Sequence, residues 1–130
     1  MGHGSRDAEG VREFAALLEA LRQARPTWWI SGGMLEYPGE ALPSIQDAID
    51  AAIAAGARRI LAAPVLLFPA GHAKYDMPQE VATARRRYPS LEIVEVPYLG
   101  SDEALLDVVA DRAAEAQTGR TEEPGETALL

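Results

Sequence analysis

An apolar run at residues 60–68 (ILAAPVLLF) constrains the fold of this chain more than any other feature of its sequence. A continuous run of this kind is typical of a parallel strand that is buried on both faces of a sheet. Pro64 lies within the run and predicts the point where regular pairing ends, because proline has no amide hydrogen to donate. The run therefore favours a sheet that is covered by helices on both sides.

Helical and strand-like patterns alternate along the rest of the chain. Apolar residues at three- and four-residue spacing predict helices, and short segments rich in β-forming residues predict strands. We predict helices over residues 7–25, 43–55, 76–87 and 101–116, and strands over residues 27–35, 59–68 and 91–97. This order is that of an α/β protein with a parallel sheet flanked by helices on both faces, a three-layer sandwich.

The two ends of the chain depart from this alternation. Residues 2–5 (GHGS) lead directly into a helix, so the strand that should precede them is missing. Residues 118–130 are polar and carry no periodic pattern, which predicts a disordered tail. We therefore assign residues 1–117 to a single α/β domain.

Composition narrows the possible functions. The chain has 130 residues, 48% hydrophobic and 25% charged, which is the balance of a globular protein. A formal net charge of -8 disfavours binding to nucleic acid. The absence of cysteine excludes thiol catalysis and Cys-ligated zinc and agrees with a cytoplasmic location. The chain has no run of roughly 18 apolar residues, so we predict no membrane span.

The two histidines of the chain occupy equivalent places in the pattern. His3 and His72 each follow a glycine where a strand pattern gives way to a loop, and open α/β sheets bind ligands beyond the carboxyl ends of their strands. Neutral imidazole is a ligand for divalent metals such as Co²⁺, Fe²⁺, Ni²⁺ or Zn²⁺. A flexible leader containing His3 and an ordinary loop histidine at His72 remain alternative interpretations.

Three further side chains belong to the same predicted edge. Glu36 ends the tryptophan-containing strand and should point into the crevice of the histidines, although a solvated acid is the simpler interpretation. Arg6 and Lys74 lie a few residues beyond the histidines, where they could meet ligand carboxylates, although surface cations generally bind nothing specific. The arginines at residues 85–87 are explained by a solvated helix face.

Three segments together resemble the sirohydrochlorin cobaltochelatase and ferrochelatase family. They are residues 2–7 (GHGSRD), Leu35 and Glu36 followed by residues 43–45 (PSI), and residues 64–72 (PVLLFPAGH). The resemblance implies a class II chelatase, which inserts a divalent metal into the tetrapyrrole sirohydrochlorin, for cobalamin or sirohaem, without ATP or an organic cofactor. Co²⁺ is the favoured metal substrate, with Fe²⁺ or Ni²⁺ as alternatives.

The resemblance also implies roles for individual residues. His3 and His72 match the metal-handling histidines of the family. Glu36 matches its acidic residue, which would accept pyrrole protons or assist in binding the metal. The carboxylates of the tetrapyrrole would be bound by Arg6, Ser5 and Lys74.

The length of the chain bears on its assembly. Chains of this length look like half of the longer two-domain chelatases, which implies a symmetric homodimer with the active site in a central cleft. Two features depart from the family. The strand before Gly2 is missing, and the loop from Glu36 to Pro43 is longer than expected by a few residues. A missing central strand would leave neighbouring edges unpaired and His3 less firmly placed.

Two other classes of function remain open. A metal or tetrapyrrole carrier, or an inactive partner domain, would keep the fold without the catalysis. Histidine phosphatases also place a His-Gly pair after a first strand. An arginine normally precedes their histidine, whereas this chain has Gly2 there.

Overall fold

The computed structural model describes residues 1–68 and 71–117, with only the backbone of residues 72 and 73. The chain divides into two compact units, residues 1–99 and residues 100–130. The elements are α1 (Ala8–Ala24), α2 (Ile45–Ala54), β1 (Arg59–Ala62), α3 (His72–Arg87) and β2 (Glu92–Glu95) in the first unit, and α4 (Glu103–Gln117) in the second. The predicted tail at residues 118–130 lies outside the described residues, so the domain boundary at residue 117 stays a prediction.

β1 and β2 form a parallel pair. Arg59 lies opposite Glu92 at one end of the pair and Ala62 lies opposite Glu95 at the other. Two parallel strands that are separated along the chain by a helix, here α3, are the basic unit of an α/β fold. The predicted α/β class with a parallel sheet is confirmed.

Residues 1–3 pair with two other extended segments. The Gly2 amide donates to the Gly33 carbonyl at 2.9 Å, and Gly2 forms a parallel bridge with Met34. On the other side, the Val65 amide donates to the Met1 carbonyl at 2.8 Å. Residues 1–3 therefore lie between residues 33–36 and the chain that follows β1, as the carboxyl end of a central strand would.

Two apolar clusters lie on opposite faces of residues 33–36. Met34 is buried against Leu18 of α1 and against Leu42. The next residue, Leu35, packs against a larger cluster that includes α2 and α3. Because successive side chains of an extended segment point to opposite faces, α1 covers one face and α2 and α3 cover the other. The buried members of the larger cluster are Ile45, Ile49, Ala62, Met77, Val81, Ala84 and Ile93.

Three helices begin within a residue or two of the predicted positions because polar side chains cap them. Each capping oxygen accepts a hydrogen bond from a backbone amide of the first turn. The pairs are Asp7 with Glu9 at 3.1 Å in α1, Ser44 with Asp47 at 3.1 Å in α2, and Asp102 with Ala104 at 3.0 Å in α4. The predicted helices over residues 7–25, 43–55 and 101–116 are confirmed.

The strand predicted over residues 27–35 forms only at its end. Met34 pairs with Gly2 and with Ser44. Among the described residues, no backbone hydrogen bond joins residues 29–32 to a neighbouring strand. The carbonyl of Ile30 instead accepts from the Arg22 guanidinium of α1 at 2.9 Å. The prediction was wrong for residues 27–32, because β-forming side chains make a strand only where a partner supplies the ladder.

The apolar run at residues 60–68 is a regular strand only within β1. The strand ends two residues before Pro64, which confirms the predicted end of pairing. Ala62 points into the larger cluster, whereas Leu61 is 44% exposed and Phe68 is 68% exposed. Burial on both faces was therefore a wrong prediction, because α2 and α3 cover only the face that bears Ala62.

α3 begins one turn earlier than predicted. The sequence favoured a start at Asp76, but the helix begins at His72 and contains Pro78. The spacing of Asp76 and Gln79 was a misleading signal, because it suits a helix interior as well as a helix start. Three side chains at helical spacing (Met77, Val81 and Ala84) are at most 1% exposed and hold α3 against the sheet.

The arginine run at the end of α3 has polar partners in neighbouring elements. Arg85 donates to the Glu95 carboxylate and to the Ile93 carbonyl, both at 2.8 Å, and so joins α3 to β2. Arg87 donates to the Asp50 carboxylate of α2 at 2.7 Å. This hydrogen bond lowers the pKa of Asp50. A solvated face was therefore an incomplete explanation, although such exposed ion pairs contribute little to stability.

In the second unit, the described residues end with the last residue of α4, Gln117. Leu106, Val108 and Val109 on this helix are each at least 50% exposed. No helix among the described residues is long and apolar enough to cross a membrane.

Gly33 and Gly39 form a matched pair for testing the packing of the sheet. A Cβ atom at Gly33 would lie 2.7 Å from the Cα of Ile45, which is backbone and cannot turn aside. We expect Gly33→Ala to lower the free energy of unfolding by about 1–3 kcal/mol, measured by urea denaturation followed by circular dichroism. At Gly39 a Cβ would meet no atom of the described residues within 4 Å, so Gly39→Ala should be near neutral. Equal losses in the two variants would contradict the close packing of α2 on this segment.

Candidate active site

Backbone pairing places His3 beside Glu36. The Glu36 amide donates to the His3 carbonyl at 2.8 Å, directly after the bond from the Leu35 amide to the Gly2 carbonyl at 3.0 Å. Both residues stand where their extended segments end, at the same edge of the sheet. His3 is exposed and Glu36 is partly buried. An accessible imidazole and a more sheltered carboxylate thus belong to neighbouring segments.

Gly4 makes this pairing possible. Its φ of +106° lies in a region that residues other than glycine rarely adopt. A Cβ atom at this position would overlap the carbonyl oxygen of Glu36. Glycine is therefore required here both for the turn of the backbone and for the close approach of two segments.

A cavity of about 330 Å³ opens beside His3. Its size is at the lower end of small-molecule sites. The polar part of its wall comes from His3, Ser5, Tyr37 and Glu40, and the apolar part includes Phe14, Met34, Leu42, Val65 and Leu66. The bond between the Val65 amide and the Met1 carbonyl brings the chain after β1 to the same wall as His3.

Ser5 and Arg6 connect the site to α1. The Ser5 hydroxyl oxygen accepts a hydrogen bond from the Asp7 amide at 3.0 Å, which orders the entry into α1. The guanidinium carbon of Arg6 lies 4.6 Å from the centroid of the Tyr37 ring. Arg6 is exposed and Ser5 is partly buried. The Ser5 hydroxyl is thus bonded to the Asp7 amide, whereas the Arg6 guanidinium lies against the Tyr37 ring.

His72 and Lys74 lie in the first turn of a helix rather than in the predicted loop. Gly71 precedes them with a φ of +48°. The Lys74 amide donates to the Gly71 carbonyl at 3.2 Å, and the Lys74 ammonium lies 5.8 Å from the centroid of the Tyr75 ring. The His72 side chain lies outside the described residues, so its approach to His3 and Glu36 stays a prediction.

Among the described side chains, which do not include His72, no three His, Asp or Glu residues come close enough together to bind a metal ion. A metal held by His3, with or without Glu36, would therefore take further ligands from His72, from water or from a bound molecule. Imidazole and oxygen ligands of this kind suit Co²⁺, Fe²⁺ and Ni²⁺.

Two residues of the cavity wall, Tyr37 and Glu40, were not among the predicted site residues. They belong to the loop from Glu36 to Pro43, whose length alone stands out in the sequence. The dipeptide Pro38-Gly39 indicates a turn, and the Gly39 amide donates to the Leu42 carbonyl at 2.9 Å. This turn returns Leu42 to the core and leaves the loop at the rim of the cavity.

Known proteins that are similar to this chain include two curated relatives that match nearly all of its length. The CbiX family matches residues 1–116. Sirohydrochlorin ferrochelatase of Priestia megaterium is 33% identical over 121 residues, which are 93% of this chain and 44% of that protein. Sirohydrochlorin cobaltochelatase of the same organism is 30% identical over 131 residues, which are 100% of this chain and 41% of that protein. The chain spans less than half the length of these relatives.

Solved structures agree with this fold. SirB from Bacillus subtilis with Fe³⁺ has a TM-score of 0.82 and 34% identity, over 94% of this chain and 46% of that chain. SirB from Bacillus subtilis subspecies spizizenii in complex with cobalt has a TM-score of 0.76 and 36% identity, over 88% of this chain and 47% of that chain. A CbiX protein from Marinobacter aquaeolei, with a TM-score of 0.73 and 23% identity over 88% of each chain, is similar in fold alone.

Gly4→Ala tests the pairing of His3 with Glu36. We expect a loss of about 2–4 kcal/mol in unfolding free energy, because alanine disfavours the positive φ and its Cβ overlaps the Glu36 carbonyl oxygen. Hydrogen exchange should show loss of protection at the Glu36 amide. Gly10→Ala in α1 is the control, since alanine favours the helix and, among the described residues, its Cβ would meet only the Ser5 side chain, at 3.3 Å or more. Unchanged Glu36 protection in Gly4→Ala would contradict the proposed contact.

Proposed function

We propose, since the chain belongs to the CbiX family, that it is an ATP-independent sirohydrochlorin chelatase that inserts a divalent metal into the tetrapyrrole. The observation that carries the proposal is an accessible histidine at a cavity wall, paired through the backbone with a segment that ends in a carboxylate. Both relatives from Priestia megaterium are named as sirohydrochlorin chelatases. The cobalamin and sirohaem pathways would both use such a product.

Metal insertion requires ligand exchange and the loss of two pyrrole protons. In our proposal the His3 imidazole holds the metal while its water ligands are replaced by ring nitrogens. Glu36 accepts the two protons one at a time as the ring nitrogens become metal ligands and passes each to solvent water, a role that a positioned carboxylate can perform. Glu36 ends the segment that pairs with His3, which places the proposed proton acceptor beside the proposed metal ligand.

His72 is the second metal-handling residue in this proposal. Its backbone begins α3, and the segment that leads to it contributes Val65 and Leu66 to the wall that also contains His3. This path of the chain supports a location for His72 on the same side of the sheet. Two imidazoles would hold the metal without preventing its release to the ring.

An anionic substrate needs local positive charge in this acidic chain. Sirohydrochlorin carries several carboxylates, and the formal net charge of the chain is -8. Arg6 would bind one of these carboxylates and Lys74 another, through charge-assisted hydrogen bonds. Ser5 would contribute its hydroxyl hydrogen, because its oxygen already accepts from the Asp7 amide.

Co²⁺ is our choice for the metal substrate. Its support is the resemblance of the sequence to cobaltochelatases, and the relatives include both a ferrochelatase and a cobaltochelatase. Histidine and carboxylate ligands accept Fe²⁺ and Ni²⁺ as well. The rates with the three metals therefore need direct comparison.

We also propose that two copies of the chain form a symmetric homodimer with the tetrapyrrole in a central cleft. The chain aligns with less than half of each Priestia relative. The cavity of about 330 Å³ is small for a tetrapyrrole with its side chains. A second copy that faces the cavity would enclose the rest of the macrocycle.

We expect the protein to act in the cytoplasm.

The decisive experiment follows the absorbance of sirohydrochlorin with Co²⁺, with and without the protein, and repeats the measurement with Fe²⁺ and Ni²⁺. Acceleration that depends on the protein supports a chelatase and ranks the metals. A spectral change on binding with no acceleration would instead favour a carrier and overturn the proposed catalysis.

His3→Ala and His72→Ala test the metal-handling pair. We expect each variant to lose most of its insertion activity, and Glu36→Gln to lose about a hundredfold in rate, as for a general base. His3→Ala should keep the wild-type melting temperature, because the side chain is exposed. Arg86→Ala is the control, because Arg86 is exposed on α3 and, among the described residues, its side chain donates only to Thr83 within its own helix. Full activity in both histidine variants would contradict the assigned roles.

A further inference from the structure

Tyr37 has a backbone conformation that its side chain and its neighbour both disfavour. Its φ is +51°, and it is the only described residue other than glycine with a positive φ. Such a conformation is unfavourable for an L-residue, because its Cβ approaches the backbone carbonyl oxygen too closely. The following residue is Pro38, which further restricts the residue before it to extended conformations. Strain of this kind persists where surrounding contacts maintain it, often at a functional site.

The conformation of Tyr37 directs its ring to Arg6. The guanidinium carbon of Arg6 lies 4.6 Å from the ring centroid, which is cation–π distance. Among the described residues, none forms an ion pair with Arg6, which is also true of Arg12, Arg25, Arg58 and Arg86, whereas five other arginines are paired with carboxylates. Those pairs are Arg22 with Glu19, Arg59 with Glu92, Arg85 with Glu95, Arg87 with Asp50, and Arg112 with Glu115. The N–H donors of Arg6 therefore remain available for a ligand.

The pair stands at the candidate site. Tyr37 follows Glu36 directly and lines the same cavity as His3. Its side chain is 46% exposed, so the ring gains little from burial in the core. Packing alone thus gives no reason for a tyrosine in a conformation that glycine would adopt without strain.

We propose that Tyr37 is a positioning residue that holds the Arg6 guanidinium at the cavity rim, ready to bind a carboxylate of the substrate. This inference rests on the proposed function for the identity of the ligand, an anionic tetrapyrrole. An exposed arginine side chain loses rotational freedom when it binds a ligand. Because the ring already restricts that freedom and covers one face of the guanidinium, the edge of the guanidinium accepts a carboxylate at lower entropic cost.

Tyr37→Gly separates positioning from folding. Glycine suits the positive φ, so the melting temperature should be equal to or higher than that of the wild type. The dissociation constant of metal-free sirohydrochlorin, from an absorbance titration, should rise about fivefold, which corresponds to ~1 kcal/mol. During insertion the loss should appear in KM rather than in kcat. Tyr37→Phe should retain the wild-type affinity, because the ring face and not the hydroxyl contacts Arg6.

The role of Arg6 is tested by a double-mutant cycle. Arg6→Ala should weaken binding, and Tyr37→Gly should weaken it no further in the Arg6→Ala background. Tyr98→Gly is the matched control: Tyr98 is 45% exposed and does not line the cavity, so its loss should not change affinity. An unchanged dissociation constant in Tyr37→Gly, or an equal loss in both backgrounds, would overturn the proposal.

The titration also separates this proposal from the proposed function. A wild-type protein that binds sirohydrochlorin without accelerating insertion would refute the chelatase and leave the Arg6–Tyr37 pair supported, provided that the cycle behaves as expected. A wild-type protein that binds neither sirohydrochlorin nor another polycarboxylated tetrapyrrole, such as uroporphyrin, would refute the proposed role of the pair.

Discussion

The close approach of two backbone segments at Gly4 and Glu36 is the constraint on which the site depends. Residues 1–4 can lie along residues 33–36 only if no side chain stands at Gly4. The same pairing sets which side chains point to which face, with Met34 toward α1 and Leu35 toward the larger cluster. The register between residues 1–4 and 33–36 thus determines both the core and the candidate site. A slip of one residue would turn the core side chains to the other face and move His3 away from Glu36.

The backbone changes from a paired to a strained conformation between Glu36 and Tyr37, at the end of this pairing. Through Glu36 the backbone is hydrogen-bonded to residues 2 and 3, and at Tyr37 it enters a conformation that the side chain disfavours. Natural sequences agree with their local structure at most positions and depart from it mainly at functional sites. The position of this departure, at the rim of the cavity, supports the assignment of the site on grounds independent of the histidines.

The sequence predicted best the features that depend on neighbouring residues. α1, α2 and α4 follow from periodicity and from caps such as Asp7 and Ser44, which act within a single turn. The strand over residues 27–32 was wrong because ladder partners come from distant parts of the chain. His3 and Glu36 could be placed at one edge because parallel strands share their ends. Tyr37 could not, because no pattern of residue types indicates its positive φ.

Trp28 and Trp29, the two tryptophans of the chain, lie side by side with more than half of their surface exposed. Their indoles already face water in the folded protein, so their emission should shift little when the chain unfolds. The same emission overlaps the absorption of tetrapyrroles, and energy transfer acts across distances comparable to the size of this domain. Intrinsic fluorescence is therefore a poor measure of folding in this protein, and it would give a direct optical signal if the proposed tetrapyrrole binds.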